Sequence, residues 1–236
     1  MTDHGGAAAA SDGSASASQR PSCFFILGYG RSGTTLVRRM LSAHPGLFVP
    51  PENDIFQRLP RRIGKGLADA DAVRAMRQAL PIYYGKIYDL DLLERLLIDK
   101  LPLSTAEVIA TFFAAAHIGA DKPGAIWGHK LPSEWPYVST WRRWYPEAKH
   151  LHVVRHPLDS TASMIQHQLQ RYPTTPLVGI WQWRKAFRSI RRQGAEMDPE
   201  RYHMIRYEDL VADPEPVLAG VSRFLGVSAD HVPAMQ

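Results

Sequence analysis

Apolar positions along the chain follow two patterns. The run Cys23-Phe24-Phe25-Ile26-Leu27 is continuously apolar, short, and stopped by Gly28, as a strand buried on both faces would be. Ala125 to Lys130, His150 to Val154 and Tyr202 to Arg206 read as further strands. Between them apolar residues recur at helical spacing. Leu36, Val37, Met40 and Leu41 share one face of a helix from about Gly33 to His44, which His44-Pro45-Gly46 ends. Pro157 opens a helix with Leu158, Ala162, Ile165 and Leu169 on one face. A long helix carries Trp181, Phe187 and Ile190, and a last one carries Val217, Leu218, Val221, Phe224 and Leu225 before Gly226 stops it. A brief apolar stretch from Leu47 to Val49 runs into Pro50-Pro51-Glu52.

From Asn53 to Gly119 the pattern is helical almost throughout. Leu90, Leu93, Leu97 and Leu101 make one stripe; Val108, Ile109, Phe112, Phe113 and Ala116 make another. Ser104, with Glu107 three residues on, has the spacing of a capping box. Strands separated by helices predict an α/β fold in three layers, a central, mostly parallel sheet flanked by helices. The expected organisation is a disordered leader over 1–21, rich in Ala, Ser and Gly, then a single domain over 22–236 with a helical insertion at about 53–120.

Composition narrows the function classes. A formal charge of +5 and a pI near 9.4 favour an anionic ligand. Basic residues are scattered, not gathered in a tail or block, which argues against nucleic acid. No apolar run approaches the ~18 residues of a membrane span. The first residues lack the charged start and apolar core of a signal peptide. With a single cysteine, Cys23, this leads to the expectation of a cytoplasmic protein without disulfides.

The chemistry begins at Gly28-Tyr29-Gly30-Arg31-Ser32-Gly33-Thr34-Thr35. A glycine-rich turn between a buried strand and a helix gathers backbone N–H groups around an anion at the helix N-terminus. Gly28 and Gly33 keep the interval of the nucleotide pattern GxxxxGK[ST], so the fold expected is of P-loop type. Thr34 stands where that pattern has lysine, and the nearest cation is Arg31. Without the lysine, β–γ phosphate cleavage lacks its usual charge stabiliser.

Phe24 to Glu52 closely resembles the donor loop of sulfotransferases that use PAPS (3′-phosphoadenosine 5′-phosphosulfate), in their bacterial and tyrosylprotein branch. The resemblance extends with gaps from Cys23 to about Val227. It implies that Gly30, Arg31, Ser32, Gly33, Thr34 and Thr35 bind the 5′-phosphosulfate. Arg155-x-Pro-x-Asp-x-x-x-Ser163 is similar to the family's 3′-phosphate motif, and Tyr207 corresponds to a residue near the adenine. Independently of the resemblance, Arg155 sits where a strand meets a helix N-terminus, which suits a phosphate. An ATPase would need an acid there for magnesium; the chain has Arg155 and His156.

Two residues are candidates for the base that activates an acceptor hydroxyl, Glu52 and His129. Glu52 resembles the catalytic glutamate of the tyrosylprotein and bacterial branch, with Lys130 matching its lysine and, with Arg31, stabilising the transferring group. His129 lies one residue before the position of the cytosolic branch's histidine. Being adjacent on a strand, His129 and Lys130 point to opposite faces. Leu36 stands where cytosolic members carry tryptophan. A sulfuryl group carries less charge than a phosphoryl group, and the ten histidines show no metal-site spacing, so PAPS is expected as co-substrate without a metal. Arg184, Lys185, Arg188, Arg191 and Arg192 read as a solvated helix face, and Trp181 and Trp183 as packing residues. Many relatives continue into a Gly- and Arg/Lys-containing loop over the 3′-phosphate; no equivalent follows Val227, and the expectation is a shortened member or closure by other means.

The expected function is thus sulfuryl transfer from PAPS to a hydroxyl of a small-molecule or carbohydrate acceptor. The alternatives are a non-catalytic protein binding 3′-phosphoadenosine nucleotides on the same scaffold, and a P-loop kinase.

Overall fold

Four predicted strands become β1 (Cys23–Leu27), β3 (Ile126–Lys130), β4 (Lys149–Val154) and β5 (Tyr202–Arg206) of one sheet. The computed structural model describes residues 23–57, 59, 66–80, 84–85, 88–119, 122, 124–130, 132–168 and 175–236. The expected leader over 1–21 and Leu169 of the predicted helical stripe lie outside them. Leu47 and Phe48 form a fifth strand, β2, which the sequence pattern left as a brief apolar stretch. It pairs in parallel with β3, Leu47 opposite Ile126 and Phe48 opposite Trp127. The order is β2-β3-β1-β4-β5, and every pairing is parallel.

The period-two alternation of the strands divides the core. Phe24, Ile26, Leu151, Val153 and Ile205 face α1 (Thr34–Ala43), α9 (Pro214–Leu225) and the short α10 (Val232–Met235). Phe25, Leu27 and Trp127 face the opposite layer. That layer is built from α2 (Ala70–Ala79), α3 (Leu90–Ile98), α4 (Thr105–Gly119), α5 (Val138–Trp144) and Ile190 of α7 (Pro176–Ala195). The remaining helices are α6 (Pro157–Gln168) and α8 (Tyr207–Ala212).

Over its described part, the helical segment between Asn53 and Gly119 packs on this face of the sheet. Phe113 stacks on Trp127 at 4.3 Å and 7°. The α4 capping box is present: the Ser104 N–H donates to Glu107 Oε2 at 2.8 Å, and the Glu107 N–H to Ser104 Oγ at 3.4 Å. At the other face, Lys122 Nζ donates to the carbonyls of Ser42, His44 and Leu47 at 2.5, 3.0 and 3.0 Å. It thus ties the C-terminal end of α1, whose last carbonyls have no helical partner, to β2.

Two histidines of β4 are buried against the second layer. Burial pushes His150 down to about 4 and His152 to about 3, the latter with Nδ1 at 2.6 Å from the Tyr202 hydroxyl. Unfolded rings titrate near 6.5 and accept protons that the folded rings refuse. Stability is then complete above that value and falls as pH drops below it, by up to about 1.4 kcal/mol per pH unit for each ring. Urea midpoints at pH 7.5, 6.0 and 5.0 should decrease in that order, in a range where carboxylates hardly titrate. A midpoint flat down to pH 5.0 would contradict the assignment.

Candidate functional site

β1 lies between β3 and β4, so the crevice beyond its C-terminal end opens where the connections diverge to either side of the sheet. The turn from β1 to α1 occupies that place. Gly28 is required there because a Cβ would lie 2.7 Å from the Val153 carbonyl oxygen. Arg31 adopts φ 66° and Gly33 φ 89°, turning the backbone around a concavity. For Arg31 this conformation costs about 1–2 kcal/mol. At Gly33 a side chain would also strike the Tyr207 ring, 2.2 Å from Cδ2.

α1 starts without a side-chain cap and without an acidic residue in its first turn. Its first N–H groups therefore have no helical partner, and Gly33, Thr34 and Thr35 line the crevice. Ser32 is 1% exposed, and among the described residues its hydroxyl has no hydrogen-bond partner.

The strained turn is held by Arg155 and Ser163. Arg155 follows β4 directly and donates from Nη1 to the Arg31 carbonyl at 3.2 Å. Its own carbonyl accepts the indole N–H of Trp183 at 3.1 Å, and its guanidinium lies 4.6 Å over the Tyr207 ring. Arg31 Nε donates to Ser163 Oγ, on α6, at 3.2 Å. Glu208 accepts the backbone N–H of His156 at 2.7 Å, joining the ends of β4 and β5. Arg155 Nε has no hydrogen-bond partner among the described residues. Arg31, Arg155, Ser163 and Tyr207, from four separate elements, thus meet on one side of the turn.

On the other side stand Glu52, Lys130 and Thr35. Lys130, the last residue of β3, has its side chain 1% exposed and its Nζ bonded to Thr35 Oγ1 at 2.9 Å and to Glu52 Oε1. Burial lowers its pKa, an effect opposed by the Glu52 carboxylate and reinforced by the Arg38 guanidinium. Glu52 remains 47% exposed, facing the crevice. Its loop is anchored at both ends. Val49 O accepts from Arg38 Nη1 at 3.2 Å and Ser42 Oγ at 2.9 Å, and the Tyr84 hydroxyl accepts the Asp54 N–H at 3.0 Å while donating to Asp54 Oδ1 at 2.9 Å.

His129 is not brought to this group. It is 1% exposed on the opposite face of β3, its ring 4.4 Å from that of Phe56 and 5.7 Å from Trp141. The alternation of strand side chains sends Lys130 to the crevice and His129 into the aromatic core.

The two sides enclose a cleft of about 540 Å³ lined by the turn, Glu52, Arg155 and Tyr207. Trp135, Met164 and Gln182 line it too, and the sequence offered no pattern that marks them. Gln182 accepts from the Tyr29 hydroxyl at 3.1 Å, a contact across the cleft that no spacing predicts. Trp183 packs as expected, stacked on Phe187 at 5.0 Å. Trp181 does not: it is 58% exposed. Among the described residues no helix is long and apolar enough to cross a membrane, and no three His, Cys, Asp or Glu gather as metal ligands would.

The chain as a whole is similar to known proteins. Over 211 residues the chain is 29% identical to protein-tyrosine sulfotransferase 2 of Gallus gallus, a match that takes in 86% of this chain and 51% of that protein. The chain thus spans about half the length of that curated relative. Two solved structures resemble it at a TM-score of 0.62. The sulfotransferase domain of the Synechococcus PCC 7002 olefin synthase is 27% identical, with 89% of this chain and 75% of that one covered. The sulfotransferase domain from the curacin biosynthetic pathway is 26% identical, with 91% and 76% covered. A profile of the Sulfotransferase family matches residues 21–231, from before β1 to the last turn ahead of α10, and by that match the chain belongs to the sulfotransferase family.

Proposed function

We propose that the cleft binds PAPS and transfers its sulfuryl group to a hydroxyl of a small-molecule or carbohydrate acceptor. One observation carries this reading: the two anion motifs are a single construction. Arg155 holds the Arg31 carbonyl and Arg31 holds Ser163, so the loop and the strand-end arginine address one ligand. In this reading the turn from Gly30 to Thr35 and the free N–H groups of α1 take the 5′-phosphosulfate. Arg155 and Ser163 take the 3′-phosphate, and Tyr207 packs against the adenine. The Ser32 hydroxyl and Arg155 Nε, without partners among the described residues, are donors that an anionic ligand would satisfy.

During transfer the acceptor oxygen bonds to sulfur as the bond from sulfur to the 5′-phosphate oxygen breaks. Glu52 takes the hydroxyl proton, and Lys130 with Arg31 meets the charge that develops on the transferring group and the leaving oxygen. Lys130 suits that role because its ammonium is fixed by Thr35 and Glu52 and needs no reorganisation. His129, enclosed in the aromatic core, is not used.

Thermal shift with 3′,5′-diphosphoadenosine, ADP and ATP, without magnesium, tests the donor. The wild type should respond most to the 3′-phosphorylated ligand. Arg155→Ala should lose that preference, with affinity for it about 10- to 100-fold weaker, the value of one charge-assisted contact. An equal wild-type response to ADP would sink the reading and favour an ordinary nucleotide site.

A further inference from the structure

A second concavity adjoins the cleft and shares Trp135 with it. Its wall is α7, against which the 3₁₀ turn Pro132–Tyr137 carrying Trp135 packs. The groove, of about 510 Å³, presents Trp135, Trp181, Arg184, Lys185, Arg188 and Arg192 and, among the described residues, no acidic side chain. The basic residues recur every three or four positions, so their heads form a file along one face of the helix, stepping by about 6 Å per four residues.

Two features separate this file from an ordinary solvated face. Charged surface residues are commonly neutralised by neighbours, as Arg142 is by Glu196 near the end of the same helix. Among the described residues no carboxylate pairs with Arg184, Arg188 or Arg192. Trp181 is also exposed within the file, with Lys185 Nζ 4.9 Å above its ring. An exposed indole beside unpaired guanidinium groups is an apolar plate edged with donors.

We propose that this groove is the acceptor subsite and that it takes an acidic oligosaccharide. The proposal rests on the reading of the adjoining cleft as the sulfuryl-transfer site and names the acceptor's chemistry. An acceptor needs a hydroxyl at Glu52 and, to use the groove, anionic groups set apart from that hydroxyl. An acidic sugar chain has both on a short, rigid frame, with ring faces that lie flat on Trp135 and Trp181. Carboxylate or sulfate groups along it meet the file of guanidinium groups in series. A nucleic acid would call for a broader basic surface than one helix face.

Binding is measured by calorimetry at low and moderate salt, with 3′,5′-diphosphoadenosine present. The probes are oligogalacturonate, neutral maltohexaose, a poly-glutamate peptide and a single-stranded oligonucleotide of equal charge. The variant is Arg184→Ser with Arg188→Ser, both exposed and outside the donor cleft. Oligogalacturonate should bind the wild type, weaken with salt, and bind the variant about tenfold more weakly or worse, since two charge-assisted contacts are lost. Maltohexaose should not bind. Equal binding of maltohexaose, unchanged affinity in the variant, or tighter binding of the peptide or oligonucleotide would each overturn the proposal. The variant should bind 3′,5′-diphosphoadenosine as the wild type does. If the wild type fails to bind that nucleotide, the donor reading falls, whereas the sugar arms still decide the groove.

Discussion

Glu52→Gln is expected to reduce sulfuryl transfer by about 10²–10⁴-fold, the contribution of a positioned general base. Affinity for 3′,5′-diphosphoadenosine should stay as in the wild type. The substitution keeps the shape of the side chain and an oxygen for Lys130, and removes the capacity to take a proton. The loop is unaffected, because Val49 and Asp54 anchor it through groups other than the carboxylate. Single-turnover assays with saturating donor separate this effect from binding. Normal turnover in the variant would end the assignment. His129→Gln is the matching control: with its ring in the aromatic core, its loss should lower stability and leave the transfer step intact in the folded fraction.

Lys130→Met should cut turnover by about 10²–10³-fold, the effect of removing one preorganised electrostatic stabiliser. Its effect on stability should be much smaller, about 1 kcal/mol or less. Breaking a buried ion pair is strongly destabilising when the remaining charge stays buried. Here the remaining charge is Glu52, which is 47% exposed and can be hydrated, while methionine refills most of the lysine's volume. Burial also disfavours the charged ammonium, so part of the pair's attraction only offsets desolvation. Turnover and urea midpoint measured on one preparation should therefore move independently. A large loss of stability with little change in rate would make Lys130 a structural residue.

Both residues show where reading of the chain was sufficient and where it was not. The alternation of β3 shows from sequence that His129 and Lys130 face apart. It does not say which face meets the cleft. That depended on the layers: the helices between Ala70 and Gly119 cover the face of His129 and Trp127, leaving Lys130 on the side of α1 and the turn. Helical periodicity gave that segment an apolar face packed on the core, without showing which face of the sheet it covers.

Phase along α7 worked in the same way. Trp181 and Trp183 lie two residues apart, about 200° around the helix. One packs on Phe187 and holds the Arg155 carbonyl; the other stands open in the basic groove. Composition treats them alike. The two-residue strand β2 was equally illegible, because its parallel partner β3 lies far along the chain and a run that short carries no period of its own.

What the sequence determined by itself was local and short in range. A buried apolar run, a glycine turn and a helix start are contiguous, and their geometry follows from the backbone over a dozen residues, so the turn from β1 to α1 and the capping box of α4 were readable directly. Arg155 was legible only as an arginine at a strand end, and its pairing with Ser163 came from the family resemblance. The tertiary structure alone decided which of these local devices meet. Arg31 joins Arg155 and Ser163, Lys130 joins Thr35 and Glu52, and Trp135 links the cleft to the groove. Such contacts between distant segments arise from how the layers pack on the sheet, and no pattern within a single segment records that packing.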